Sequence, residues 1–137
     1  MAKDYALALQ AGVFAALKAD AGVATAVSGR VYDEPPQSAA FPYIRFGAFE
    51  PRPVRSDCAS AARVTFSIEV HSRPNAGRVE ATRIAGAVVA ALNEREDAVT
   101  VAGYTVVRLQ WMTQTTGRAD DGQSYLALVA FEALLDG

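Results

Sequence analysis

The chain has 137 residues, of which 51% are apolar and 20% charged, with a net charge of −2. That length holds a sizeable core without metals or disulfides, and 1–137 reads as a single domain. The near-neutral balance excludes the basic footprint of a sequence-independent nucleic-acid binder. A single cysteine, Cys58, excludes an internal disulfide and is compatible with a reducing compartment.

The longest uncharged stretch, Tyr5 to Leu17, falls short of the ~20 residues that a spanning helix needs, so no membrane is expected as a partner. Asp4 offsets Lys3 and Gln10 interrupts the apolar run, which argues against a signal peptide. Residues 4–19 instead predict an amphipathic helix. Leu9, Val13 and Leu17 lie on one line, with Leu7 and Phe14 beside it. The opposite side is small: Ala8, Ala11, Gly12, Ala15 and Ala19. Alanine on a helix is either an inexpensive exposed face or a surface that lets another backbone approach closely. Asp20 to Val27 predicts a second helical turn ended near Ser28-Gly29, and Arg30-Val31-Tyr32 a short strand.

Asp33-Glu34-Pro35-Pro36-Gln37-Ser38 reads as a rigid connector, because two prolines fix φ and deny helix. A second strand is expected from Tyr43 to Phe49. From Glu50 to Ala62, two prolines, arginines and small polar residues predict a long loop. Its cations, Arg52 and Arg55 with Arg63 beyond, are either solvated side chains or a docking loop that meets carboxylates on a neighbour.

Arg63 to His71 is the clearest strand: Val64, Phe66, Ile68 and Val70 alternate with polar residues, the pattern of an antiparallel sheet with one buried face. After a turn at Ser72-Arg73-Pro74, a helix over 75–93, capped by Asn75, carries Ala81, Ile84, Ala85, Val88, Val89 and Leu92 on one stripe. Asp97 to Val101 predicts a short strand and Tyr104 to Thr116 a long one, with Val107, Leu109 and Trp111 alternating against Arg108, Gln110 and Met112. Gly117 to Gly122 is a turn, and Gln123 to Leu134 the last strand. In that strand Tyr125, Val129 and Phe131 face one way and Leu126, Leu128 and Leu134 the other, so cover is needed on both faces, part of it from a second subunit. The fold class is thus α+β: an antiparallel sheet of about five to six strands with an N-terminal helix and one central amphipathic helix packed against it.

Chemistry is sparse. Cys58 and His71 are the one thiol and the one imidazole, without a third orienting group or a thiolate-stabilising site in view, and they read as a loop thiol and a solvent-facing strand histidine. One His and one Cys do not fill a zinc shell. Asp120-Asp121-Gly122 lacks the spacing of a calcium loop and reads as a hairpin turn. Asp33-Glu34 reads as a solvated connector in preference to a catalytic acid pair. The glycines stand singly, with no phosphate loop. No cofactor, metal site or enzymatic activity is expected.

Gly29-Arg30-Val31-Tyr32-Asp33-Glu34-Pro35-Pro36-Gln37, followed by Phe41-Pro42-Tyr43-Ile44 and Gly47, resembles the tail-terminator or tail-completion proteins of long-tailed bacteriophages and gene transfer agents. Val70-His71-Ser72-Arg73 with the helix Arg78 to Leu92, and the Gly117…Asp121-Gly122 hairpin, resemble the later blocks of that family. His71 departs from it, standing where an aromatic residue is expected. The resemblance implies a structural particle protein assembled in the bacterial cytoplasm. Its subunits form a ring, six-fold in related particles, that ends the tail tube on the head side and receives neck or connector proteins, with DNA passing through the hole. Its partners are then itself, the tube protein and the head–tail joining proteins. Expected interface residues are Arg52, Pro53, Arg55 and Arg63, then Arg118, Asp120 and Asp121 in the hairpin, and Ala8, Ala11 and Ala15 on the first helix. The alternatives are another neck component, an adaptor or stopper, or a small cytoplasmic enzyme or ligand-binding domain with a cleft under Pro35 and Pro36.

Overall fold

The computed structural model describes residues 4–55 and 60–137. The chain begins with α1 (Tyr5–Ala19), whose N-cap Asp4 accepts from the Leu7 amide at 3.0 Å. Asp20 caps α2 (Ala21–Val27) in the same way, through the Val23 amide at 3.0 Å. Each carboxylate satisfies an amide that the first turn leaves without a helical partner. Ser28 in the left-handed region ends α2, and the chain enters β1 (Val31–Tyr32). β2 (Tyr43–Arg55), β3 (Ser60–Ser72), α3 (Gly77–Leu92), β4 (Thr105–Arg118) and β5 (Tyr125–Asp136) follow.

The five strands form one sheet in the order β1-β2-β3-β5-β4. Only the β1–β2 pair is parallel; the other three are antiparallel, so the sheet is mixed and mostly antiparallel, as the alternation in β3 foretells. All three helices lie on one face. α1 packs over β1 and β2, while α3 covers β3, β5 and β4. Between the layers, Leu9, Val13 and Leu17 of α1 and Ile84, Val88 and Leu92 of α3 bury against Val64, Ile68, Val129 and Phe131. Each such side chain contributes roughly 1.5–3 kcal/mol when fully buried. No single helix is long and apolar enough to cross a membrane among the described residues; α1 and α2 pass that test of length and composition only as a pair bent by 79°.

Several expectations from sequence are corrected. Of the long loop expected at 50–62, residues 50–55 and 60–62 are strand and 56–59 lie outside the described residues: β2 runs on to Arg55 and β3 starts at Ser60, in register from Glu50↔Thr65 to Arg55↔Ser60. The prolines misled, because β1 pairs only with Ile44 and Arg45 and leaves the rest of that side of β2 open. Pro51 and Pro53 turn their donor-less nitrogens to this free side, where proline is tolerated. Asp97 to Val101 is a turn and a linker, not a strand; Val99 and Val101 bury beneath α1 without ladder pairing.

Asn75 does not cap α3. The N-cap is Ala76, without a side-chain hydrogen bond, and Glu80 supplies the tie described below. In β4, Val107 and Trp111 are exposed while Leu109 is buried, because register shifts at 106/108 and 111/113 break the simple alternation. On α1, Leu7 is exposed and Gly12 is buried. A Cβ at position 12 would come within 2.5 Å of the Thr100 carbonyl oxygen, so the close backbone approach that small residues permit is made within the chain.

Candidate assembly surface

The face of the sheet away from the helices is built by alternation. In β3, Val64, Phe66, Ile68 and Val70 turn to the helices, so Arg63, Thr65, Ser67, Glu69 and His71 turn outward. Cross-strand register then sets Leu126, Leu128, Ala130, Glu132 and Leu134 of β5 beside them. Leu128 is exposed and Leu126 and Leu134 are half-buried, while their neighbours Val129 and Phe131 are fully buried on the other face. The last strand is therefore apolar on both faces, with one covered by the chain's own helices.

At the far end of this face, Arg52 pairs with Glu50 at 2.7 Å, both exposed, and Arg63 pairs with Glu132 at 3.2 Å across β3 and β5. Pro53 and Arg55 are exposed near the end of β2. Exposed pairs of this kind contribute about 0–1 kcal/mol, so they orient the guanidinium groups more than they stabilise the sheet. The strand pairing thus brings Arg52, Pro53, Arg55 and Arg63 together on one end of the sheet.

At the opposite end, the 117–124 hairpin closes on itself. The Asp121 carboxylate accepts from the Gln123 amide (2.8 Å), the Ser124 amide (2.8 Å) and the Ser124 hydroxyl (2.6 Å). Those bonds, that of the hydroxyl first, hold its pKa below the usual value. Arg118 donates to the Gly122 carbonyl at 3.0 Å and to the Tyr125 hydroxyl at 3.3 Å. Arg118 and Asp121 hence serve the turn itself, and Asp120 stays exposed.

An open cleft of about 390 Å³ lies beside this hairpin, lined by Phe41, Tyr43, Arg45, Glu69, His71 and Asp121 among others. His71, expected to face solvent, is half-buried: its ring stacks on Tyr43 at 4.8 Å and its Nε2 meets Glu69 at 3.0 Å. Burial raises the Tyr43 pKa; Arg45 opposes this, and Glu69 and Asp121 reinforce it. Arg45 Nε is buried without a hydrogen-bond partner among the described residues. Cys58, the other half of the candidate dyad, lies outside the described residues. Among the described residues no group of three or more His, Cys, Asp or Glu is placed to hold a metal.

Of the small residues on α1, Ala8 packs on the core while Ala11 and Ala15 are exposed. Ala11 lines an apolar groove of about 300 Å³ with Leu7, Gln10, Phe14, Asp33 and Phe46. Sequence reasoning missed this groove, although Leu7, Ala11 and Phe14 at helical spacing are its signal. It also missed Glu80 in the first turn of α3.

A family model described as Tail completion protein gp17 matches residues 11–136. Among solved structures, one chain of "Virion of native gene transfer agent (GTA) particle" is similar with a TM-score of 0.87 and 28% sequence identity. The match covers 98% of this chain and 100% of that one. Curated proteins yield no match. Since the family model spans nearly the whole chain, sheet and helices together, the protein belongs to the tail-completion family and is a structural protein of a phage or gene-transfer-agent tail.

Proposed function

We propose that this chain works as a ring of copies, six in number, which ends the tail tube on the head side and offers a surface to neck or connector proteins. DNA passes through the hole without being read, and the protein resides in the particle after assembly in the bacterial cytoplasm. It acts as one domain over 1–137 and catalyses no reaction. The observation that carries this reading is the second face of the sheet, where Leu126, Leu128 and Leu134 stand in a row that the chain's own helices do not cover. Apolar rows rimmed by charge are what protein–protein contacts use. Family membership and the match to a chain from a gene transfer agent virion support the particle as the setting. A net charge of −2 suits a passage that must not retain DNA.

In this reading the Arg52, Arg55 and Arg63 end of the sheet and the 117–124 hairpin address the tube on one side and the neck on the other. The test is Arg52→Glu combined with Arg55→Glu. The doubly substituted chain is expected to fold normally and to leave heads unattached or tails of abnormal length in electron micrographs. Particles of normal morphology and titre would exclude a docking role for that end. Wild-type particles lacking a ring of this chain at the tube end would exclude the terminator role itself.

A further inference from the structure

One arginine on the outward face of the sheet has no partner. Arg45 is half-buried on β2, yet its guanidinium makes no hydrogen bond or ion pair among the described residues. Nε is its one fully buried nitrogen, so the two terminal nitrogens stay accessible in the cleft beside the 117–124 hairpin. A guanidinium out of water is normally paired, because burying a donor without an acceptor costs stability. Arg30, also half-buried, follows that rule: it donates to the Pro42 carbonyl at 2.9 Å and to the Phe41 carbonyl at 3.3 Å.

The acids around Arg45 are engaged elsewhere. Glu69, its direct cross-strand partner, turns Oε1 to His71 Nε2 at 3.0 Å and leaves Oε2 without a hydrogen bond among the described residues. Asp121 spends both oxygens on the Gln123 and Ser124 amides and the Ser124 hydroxyl, and Asp120 is exposed. The cleft thus sets a donor and an acceptor side by side, walled by the stacked rings of Tyr43 and His71. Glu69, Asp120 and Asp121 outnumber Arg45, so an incoming carboxylate or phosphate is repelled, while an incoming cation leaves Arg45 unpaired. An uncharged amide serves both groups, its oxygen accepting from Arg45 and its N–H donating to Glu69.

We infer that the cleft receives a side-chain carboxamide, Asn or Gln, presented by the protein that covers the leucine row. Leu126 belongs to both surfaces: it lines the cleft and begins the row that continues through Leu128 to Leu134. A partner lying on the row therefore reaches the cleft without a break. Its main-chain amides are spent in its own secondary structure, whereas a side-chain amide keeps both oxygen and N–H for the site. This assignment rests on the reading of the leucine row as a contact surface and adds the chemistry that sets the partner's register on it.

The free chain tests the chemistry and particles test the occupancy. In NMR titrations of the free chain, acetamide is expected to move the Arg45 side-chain and His71 ring signals, and Arg45→Met to abolish the response. No response to acetamide, or a larger one to acetate or inorganic phosphate, would overturn the amide class. Arg45→Met removes the unpaired donors and keeps an apolar stem, so its free chain is expected to melt no lower than wild type while particle yield falls at least tenfold. In a Cys58→Ser background, Ala119→Cys on the cleft wall is expected to react with a maleimide at least tenfold more slowly in purified particles than in the free chain. Equal rates would mean that only water meets Arg45 and would overturn the proposal, whatever the stability of the Arg45 variant. Leu128→Gln separates the two readings. If it leaves yield intact, the contact reading of the row fails; if it cuts yield and Arg45→Met does not, this assignment alone fails.

Discussion

The Ser72 hydroxyl donates to the Glu80 carboxylate at 2.8 Å, tying the last residue of β3 to the first turn of α3. Arg73 adds its backbone amide at 3.2 Å and its guanidinium to the same carboxylate. Ser72 is fully buried and the Glu80 side chain is 12% exposed, so the bond fixes the angle at which helix leaves strand in place of a capping side chain. Burial alone would raise the Glu80 pKa, but the bonds from Arg73 and Ser72 outweigh it and hold the value below the usual carboxylate range.

A folded pKa below the unfolded one stabilises above the unfolded value and is lost as pH falls through the folded one. Glu80→Gln is therefore expected to lower stability at pH 7 by about 1–3 kcal/mol. It should also flatten the acid limb of the stability–pH curve, as pH falls from the ordinary glutamate value through the lower folded one. Urea melts from pH 3 to 7 on both chains check this. Parallel curves at every pH would mean that the carboxylate charge contributes nothing.

Two glycines predict different penalties for the same added methyl. At Gly12 the new carbon would meet the Thr100 carbonyl oxygen at 2.5 Å, a backbone atom that moves only if α1 or the 95–101 segment shifts. At Gly47 it would meet the Ser67 hydroxyl at 2.2 Å, which can rotate away, though the Ser67 carbonyl oxygen remains at 3.2 Å. Gly12→Ala is expected to cost about 1–3 kcal/mol and Gly47→Ala less, with Ser67→Ala relieving part of the latter. Thermal melts of the four chains rank them, and equal losses at both glycines would refute the distinction.

Much of this architecture is legible in residue order because local periodicity and burial agree. The alternation in β3 and the stripe on α3 each point to one face, and the structure buries those faces. The two-sided apolar character of β5 is equally plain. What was not legible depends on neighbours. Pro51 and Pro53 break strands in general, and only the shortness of β1 leaves them a free edge to occupy. Val99 and Val101 alternate like a strand yet bury beneath α1, because Gly12 lets the backbone there come close. The candidate surface divides likewise. Arg52 and Arg55 were expected on a loop with Arg63 just beyond it, and the three meet on a strand pair, whereas the groove beside Ala11 needs Asp33 and Phe46, which no spacing rule connects to α1.

The hairpin at 117–124 yields a local prediction. Asp121 is exposed, so its bonds to Gln123 and Ser124 order the turn and not the core. Asp121→Ala is expected to leave the global melting transition within a degree or two while amide exchange at Gly122, Gln123 and Ser124 speeds up at least tenfold. Its depressed pKa gives the same sign as for Glu80: protection of these amides in the wild type should fall as pH drops through the acid range, and be independent of pH above it. Unchanged exchange in the variant would show that the Ala119–Ser124 backbone bond holds the turn unaided.

Neighbouring residues on β5 separate folding from assembly. Phe131 is fully buried between Phe66 and the helices, while Leu128 points to the opposite face and is exposed. Phe131→Ala removes a packed ring and is expected to cost about 3–5 kcal/mol in urea melts of the free chain. Leu128→Gln leaves nothing buried and unsatisfied, so its cost in the same melts should stay within about 0.5 kcal/mol. If the leucine row is covered by another protein in the tail, that mild substitution should nevertheless reduce particle yield severalfold, because it places an amide where the partner expects a methyl group. A Leu128→Gln chain that is both stable and fully assembly-competent would show that this face of the sheet remains open to solvent in the particle.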